Sequence, residues 1–378
     1  MKILFLTDGL APYVIGGMQQ HSTMMVKHLA PLVDELTLMH CGCPNQPPSS
    51  DNEVLEVLGS PSNVHVIGLS FVDKSSLPGH YVRASKAYSL SLYNSISKDL
   101  NSFDVVYAQG FTGHCFLGKH KCLVSNLHGL NMFQRFFSLR QKSEKILLRP
   151  LARKILLNSS HVISLGGNLT ATLLKLGVNK KQIVVSQNGI ESKYILSSSE
   201  VKQNQKEIDS EFLRIIFIGR NDKVKGLHIL RQALSKITSP VHLTLVGEFG
   251  PIESKSHTIE NVGVIKSKDE LFKRIDSSHV LVAPSLSEGM PTVILEAMAR
   301  GKAIIATDVG AVSELVDESN GRLIPPNDVK ALADAINQIK ADIVEKGSNR
   351  SLSKVTSFTW GEIAEKFLDE IKLTLRNF

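Results

Sequence analysis

The sequence predicts an α/β protein of two βαβ domains, each a parallel sheet covered by helices on both faces. Three observations predict it. Short β-rich runs alternate with helix-period stretches from end to end. The chain has 378 residues, more than one hydrophobic core usually serves. The alternation pauses at "SSSEVKQNQKEIDSE" (197–211), a polar stretch with neither period, and then restarts. That stretch is expected to be a linker.

The elements follow in order. "KILFL" (2–6) is the first strand, and a Gly/Pro loop leads from it to a helix over 17–30. Further strands are expected at 35–40, 64–69, 104–108, 122–127, 161–165 and 182–187, with helices near 80–100, 143–157 and 167–176. After the linker, 213–219, 241–247, 262–265, 279–284 and 303–307 read as strands. Helices are expected at 226–237, 269–276 and 291–300, with Ser267 and Glu270 spaced as a capping box. A last helix, 360–375, sets Trp360, Ile363, Phe367, Ile371 and Leu375 on one face. The expected domains are 1–190, joined by the terminal helix 358–378, and 191–357. Two such domains create a cleft where the carboxyl ends of both sheets face each other, and ligands bind outside those ends.

Composition narrows the function. Hydrophobic residues make 42% and charged residues 21%, ordinary for a folded soluble chain. A net charge of +7 suits a phosphate-bearing ligand or an anionic surface. Nucleic acid is not the expected partner: the basic residues are dispersed, aromatics are 6%, and no zinc-finger or RNA-binding signature occurs. Cys41, Cys43, Cys115 and Cys122 are too few for a disulfide framework and lack zinc spacing. They are expected to be buried thiols in a reducing compartment. The apolar start of "MKILFLTDGLAP" stops at Thr7-Asp8, short of a signal-peptide core, and no run of 18 apolar residues exists. The expected location is the cytoplasm.

The chemistry should lie just after strands. Gly16-Gly17 precedes a helix with no side chain in a ligand's way, which fits either turn chemistry or backbone approach to a phosphate or sugar. His128-Gly129 follows a strand, and His128 is either a structural histidine or a site residue. Arg220 and Lys225 flank "NDKV" ahead of a glycine and a helix, so two cations and a helix N-terminus could meet at one anion. A solvated charge cluster is the other reading, since Asp222 and Lys223 share the loop.

"SEGMPTVILEAMARGKA" (287–303) holds the sharpest constellation. Pro291 fits the first helical position, Arg300 the last turn and Gly301 the cap, so the helix presents the amides of Met290, Thr292 and Val293. Glu288 lies in the preceding loop and Glu296 about one and a half turns into the helix. Carboxylates repel phosphate but accept hydrogen bonds from vicinal hydroxyls. Amides for a diphosphate and a carboxylate for each flanking sugar describe a nucleotide-sugar site. Helix capping accounts for Glu288 alone and leaves Glu296 without a task.

These motifs resemble the retaining glycosyltransferases of family 4 (glycosyl transferases group 1), which have the GT-B fold of two Rossmann-like domains. Glu288 and Glu296 match the family's E-x7-E motif, "EAMARGKAIIATDVG" resembles its sequel, and "FIGRNDKVKGLHIL" resembles its Arg…Lys-Gly segment. Gly16-Gly17 and His128-Gly129 match first-domain motifs, so the resemblance spans nearly the whole chain. Gly310-Ala311 departs from a common Gly-Gly pair, which puts the loop geometry there in question.

The resemblance implies that Arg220 and Lys225 bind the donor diphosphate and that Glu296 holds the ribose. It implies that Glu288, with the amides of Gly289, Met290 and Thr292, contacts the transferred sugar and phosphate, with Pro291 at the helix entry. Gly17 would lie beside the diphosphate, next to Gly16, and His128 near the sugar. The catalytic set is then His128, Glu288, Arg220 and Lys225. The donor would be a UDP- or GDP-linked sugar and the acceptor a glycan or lipid-linked glycan, in surface polysaccharide or lipopolysaccharide synthesis. The first domain would take the acceptor and the second the donor.

No D-x-D element occurs, so no metal or cofactor is required by the sequence. Two rival functions remain: a sugar-nucleotide epimerase or phosphorylase on the same fold, and a non-catalytic sugar-nucleotide-binding subunit. Between Arg135 and Lys154, seven Lys/Arg stand against Glu144 among apolar residues. This basic stretch fits an anionic membrane surface, with the protein peripheral on its inner face, or equally a solvated helix face. Pro150 argues for a kink within it.

Overall fold

The computed structural model describes residues 1–73, 79–136, 139–207, 212–339 and 341–376. It divides into two compact units, Met1–Asn188 with Trp360–Phe378, and Gly189–Thr359.

In the first unit, β1 (Lys2–Leu6), β2 (Glu35–His40), β3 (Val64–Gly68), β4 (Val105–Gln109), β5 (Leu123–Asn126), β6 (His161–Ser164) and β7 (Ile183–Val185) form a parallel sheet. Its order is β3-β2-β1-β4-β5-β6-β7, so the winding direction switches between β1 and β4. The strands read as continuous apolar runs because both faces are covered. Ile3 and Phe5 of β1 join the core that includes Phe367 and Ile371 of the terminal helix Trp360–Leu375. Leu4 and Leu6 join the opposite core, with Tyr88 and Leu92 of the His80–Ile96 helix. The period-two alternation of a strand thus feeds two cores.

The second unit repeats the plan with β8 (Leu213–Ile218), β9 (Val241–Val246), β10 (Thr258–Gly263), β11 (Val280–Ala283), β12 (Ala303–Thr307) and β13 (Gly321–Ile324). The order β10-β9-β8-β11-β12-β13 places the switch between β8 and β11. The chain therefore consists of two Rossmann-like βαβ units.

Several expectations are corrected. The stretch 197–211 is not a plain linker: Ser198–Glu207 is a helix, with 208–211 outside the described residues. Its buried Val201 packs where a side chain on Gly301 would stand, and one such anchor suffices for a helix too polar to show a period. The edge strand β10 begins at Thr258, not 262, because Glu260 and Asn261 mask it; edge strands tolerate polar residues. The helix expected at 143–157 starts earlier and runs Leu139–Asn158 with Pro150 inside it. Burial of Leu151, Ala152, Ile155 and Leu156 offsets the lost hydrogen bond. Cys41 and Cys122 are buried, whereas Cys43 and Cys115 are only half-buried.

Elements also appear where none is expected. The helix Asp51–Leu58 opens on a full capping box, Ser50 with Glu53. Helices Val312–Leu315, Val329–Gln338 and Ala341–Val355 follow β12. Among the described residues, no helix is long and apolar enough to cross a membrane.

Candidate functional site

A cavity of about 590 Å³ lies at the carboxyl end of the second sheet. Ile218, Gly219 and Arg220 leave β8 there, Val246, Gly247 and Glu248 leave β9, and Val264 and Ile265 follow β10. Pro291, Thr292, Val293 and Glu296 line it from the helix after β11, and Lys225 closes the wall. The cavity thus occupies the switch point, where open α/β sheets bind ligands.

Backbone contacts fix this geometry. The Leu286 amide donates to the Val224 carbonyl at 2.7 Å, joining the loops after β8 and β11. Gly226 sits at φ 74°, and a Cβ there would fall 1.9 Å from the Pro284 carbonyl oxygen. Only glycine allows that approach. The structure starts the helix at Thr292 with Pro291 as its N-cap, one residue later than expected. Its first intrahelical bond runs from the Ile294 amide to Pro291, so the Thr292 and Val293 amides precede it. A helix end of this kind attracts anions.

The charges are ordered. Lys225 Nζ lies 2.6 Å from Glu288 Oε1, which also accepts from Ser285 Oγ at 2.7 Å. Lys268 Nζ bonds Glu296 Oε1. Arg220 is exposed, and its guanidinium has no partner among the described residues. Arg300 makes a two-pronged ion pair with Asp276 instead of simply facing its own helix end. Ser267 Oγ caps the Glu270 amide at 3.4 Å. Gly310, at φ 59°, passes so close that a Cβ would lie 2.3 Å from the Glu288 carbonyl oxygen. Ala311 takes an ordinary negative φ of −105° and donates to the Gly289 carbonyl at 2.8 Å. The second glycine of the common pair is therefore not needed here.

In the first unit the switch-point end holds a polar network. His128 follows β5 at φ 53°, a left-handed conformation rare for a side-chain-bearing residue. Its amide donates to Asn126 Oδ1 at 2.8 Å, and its Nε2 lies 2.5 Å from Gln109 Oε1. His21 is buried, 3.0 Å from Asn188 Oδ1 through Nδ1 and 3.4 Å from the Tyr107 hydroxyl through Nε2. The two imidazoles meet edge to face at 4.8 Å. Burial lowers His21 to about 4; burial and the neighbouring His21 hold His128 well below the usual range. Both rings are neutral at pH 7, so they exchange hydrogen bonds and carry no charge.

Of the residues singled out in the sequence, the cavity gathers Arg220, Lys225, Pro291, Thr292 and Glu296. Glu288 joins through Lys225, while Gly289 and Met290 form the loop that Ala311 and Gly310 pin. Gly16 is the N-cap of the Gly17–Leu29 helix, and a Cβ on Gly17 would meet nothing within 4 Å. No packing constraint in this unit requires Gly17 to be glycine. Lys268, Gln109, Asn126 and His21 escaped sequence reading. Lys268 carried a signal, because a cation in a helix's first turn opposes the dipole. Among the described residues no metal-holding group of His, Cys, Asp and Glu gathers.

Family models match this chain over residues 15–194 ("Glycosyltransferase Family 4") and 213–342 ("Glycosyl transferases group 1"). The chain belongs to the family 4-like glycosyltransferases of GT-B fold. The putative teichuronic acid biosynthesis glycosyltransferase TuaC of Bacillus subtilis is 34% identical over 35% of this chain and 34% of its own. The capsular polysaccharide biosynthesis glycosyltransferase CapM of Staphylococcus aureus is 26% identical over 48% of this chain and 53% of its own. The chain thus spans about a third to about half of the length of these relatives. Among solved structures, this glycosyltransferase-family chain is similar to sucrose-phosphate synthase from Thermosynechococcus elongatus, at TM-score 0.75, 19% identity and 100% coverage of both chains. It is also similar to Anabaena Alr3699/HepE in complex with UDP, at TM-score 0.66, 22% identity and 100% coverage of both. These likenesses concern the fold.

Proposed function

We propose that this family member transfers a sugar, with retention of configuration, from a UDP- or GDP-linked donor to a glycan or lipid-linked acceptor. The setting is cell-surface polysaccharide or lipopolysaccharide synthesis; TuaC is named for teichuronic acid biosynthesis and CapM for capsular polysaccharide biosynthesis, which supports this reading. The observation that carries the reading is the second-unit cavity, where the exposed Arg220, Lys225 and the Thr292–Ala299 helix start share walls with Glu296.

As the glycosidic bond breaks, the leaving diphosphate gains charge. Arg220, Lys225 and the helix amides stabilise that charge, and one such donor is worth about 3 kcal/mol. Glu296 accepts the ribose hydroxyls once Lys268, whose side chain is 50% exposed, yields the largely buried carboxylate, and the hydroxyls then replace the lost bond. Glu288, held by Lys225 and Ser285, faces the transferred sugar, and the Gly289–Thr292 loop contacts its phosphate. The first unit takes the acceptor, with neutral His128 as a hydroxyl partner and Gly16-Gly17 as the open helix entrance. No protein nucleophile is assigned. Release of UDP or GDP only when acceptor is added supports transfer. Release without acceptor, interconversion of the donor sugar, or binding without turnover favours the rival functions.

A peripheral seat on an anionic bilayer belongs to the same proposal. Phe136, Ile146 and Leu147 are 43%, 46% and 43% exposed beside exposed Arg135, Lys142, Arg153 and Lys154. Phe137 and the side chain of Arg140 lie outside the described residues. Apolar tips among cations suit a charged interface. Sedimentation with phosphatidylglycerol vesicles should exceed that with phosphatidylcholine and fall with salt; equal partition defeats the idea.

A further inference from the structure

At the switch point of the first sheet stands a carboxylate that the site above does not use. Asp8 lies two residues beyond β1, and Gly110 follows β4, the neighbouring strand. Gly110 has φ 59°, and a Cβ on it would come 3.5 Å from Asp8 Oδ2. Met18 Sδ and Cε lie at the same 3.5 Å, so Met18 borders the carboxylate on this side, and the left-handed backbone is what calls for glycine here. Gln109, its chain neighbour, contacts His128. One strand end therefore touches both groups.

Asp8 is only weakly held by other side chains. Oδ1 accepts from Gln19 Nε2 at 3.2 Å, and Oδ2 accepts from the Tyr81 hydroxyl at 3.5 Å. The second contact is far longer than the usual 2.7–2.8 Å of an O–H···O bond, about the limit of hydrogen bonding. Asp8 is half-buried, so its carboxylate keeps both weak side-chain donors and room for a stronger one. It is short of strong donors and has accepting capacity to spare, and although burial lifts Asp8 to about 6, at neutral pH it is an ionised acceptor.

Tyr81 supplies a platform beside it. The residue is 37% exposed, at the margin of an aromatic group in which Phe71 lies 6.1 Å and Phe111 6.2 Å from its ring. Phe71 and Phe111 are buried and hold the platform in place. A rigid ring with its polar tip at a carboxylate matches a sugar, which has an apolar C–H face and a rim of hydroxyls.

We propose that Asp8 and Tyr81 form a subsite for a pyranose ring of the acceptor, stacked on Tyr81 and donating hydroxyls to Asp8 Oδ2. The proposal rests on the reading that the first unit takes the acceptor. Gln19 shapes the subsite by holding Oδ1.

The test uses saturation-transfer NMR on the full chain with the methyl glycosides of glucose, galactose, mannose and N-acetylglucosamine. Tetramethylammonium serves as the cationic probe that an aromatic-carboxylate pair could also attract. At least one glycoside should receive saturation on its ring protons. Tyr81→Leu and Asp8→Asn should each reduce the signal several-fold, while Tyr81→Phe, which keeps the ring, should retain most of it. Melting curves confirm that each variant is folded. No glycoside signal in the wild type, undiminished signal in folded Tyr81→Leu and Asp8→Asn, or binding of tetramethylammonium alone overturns the subsite. Failure of the wild type to bind UDP or GDP in calorimetry would instead sink the donor reading, independently of the glycoside arm.

Discussion

Lys225 and Glu288 form a partly buried ion pair, 2.6 Å from Nζ to Oε1, that ties the loop after β8 to the loop after β11. Their side chains are 23% and 12% exposed, so neither charge is fully solvated. Removing one partner leaves the other poorly compensated. Lys225→Ala and Glu288→Gln should each lower the melting temperature, and the double variant should cost less than their sum. A coupling of about 0.5–3 kcal/mol in a double-mutant cycle is expected, and strict additivity would mean the pair does not join the loops.

Glu288→Gln separates structure from chemistry. It should bind UDP or GDP nearly as the wild type does yet transfer sugar poorly, a loss expressed in the transition state. Turnover at the wild-type rate would remove Glu288 from the reaction.

Glu296→Gln should weaken UDP or GDP by about 1.5–3 kcal/mol, the range for a lost charged hydrogen bond. Lys268→Met frees the same carboxylate and should not mimic that loss. Calorimetry on both variants decides it; equal weakening would make Lys268 a ligand contact and not a competitor.

Gly310→Ala should destabilise the second unit and slow transfer. At φ 59° a side chain is strained, and its Cβ would press to 2.3 Å of the Glu288 carbonyl oxygen. A loss of at least about 1 kcal/mol is expected in urea unfolding. Wild-type stability would show that the loop gives way freely.

Asp8 makes a pH-dependent contribution of known sign. Its folded value, about 6, exceeds the ordinary 3.8, so the folded state holds the proton more tightly than the unfolded chain. The associated stability is fully present below about pH 4 and is lost as pH rises through about 6. The amount approaches about 3 kcal/mol at about 1.4 kcal/mol per tenfold change. Asp8→Asn should flatten that part of the stability profile, which chemical denaturation at stepped pH measures. An unchanged profile would place the titration elsewhere.

Much of this was legible in the sequence because parallel strands buried on both faces appear as plain apolar runs, as in Lys2–Leu6 and Ala303–Thr307. The family followed from the spacing of Glu288 and Glu296, helped by Arg220 and Lys225. What stayed hidden depends on long-range contact. Glu260 and Asn261 disguise β10, an edge strand. A single buried Val201 holds a helix too polar to show a period. Lys268 meets Glu296 from 28 residues away, and Asp8 meets Tyr81 from 73 away, pairings that only the fold creates.

The most direct measurement is calorimetric titration of UDP and of GDP into the wild type and Arg220→Ala. Arg220 is exposed and, among the described residues, its guanidinium has no partner, so its loss should leave the fold intact and act on the ligand alone. One of the two nucleotides should saturate a single site in the wild type. Arg220→Ala should weaken it about 10- to 100-fold, the equivalent of about 1.5–3 kcal/mol. Equal affinity in the two proteins, or no binding of either nucleotide, would contradict the second-unit cavity as the donor site.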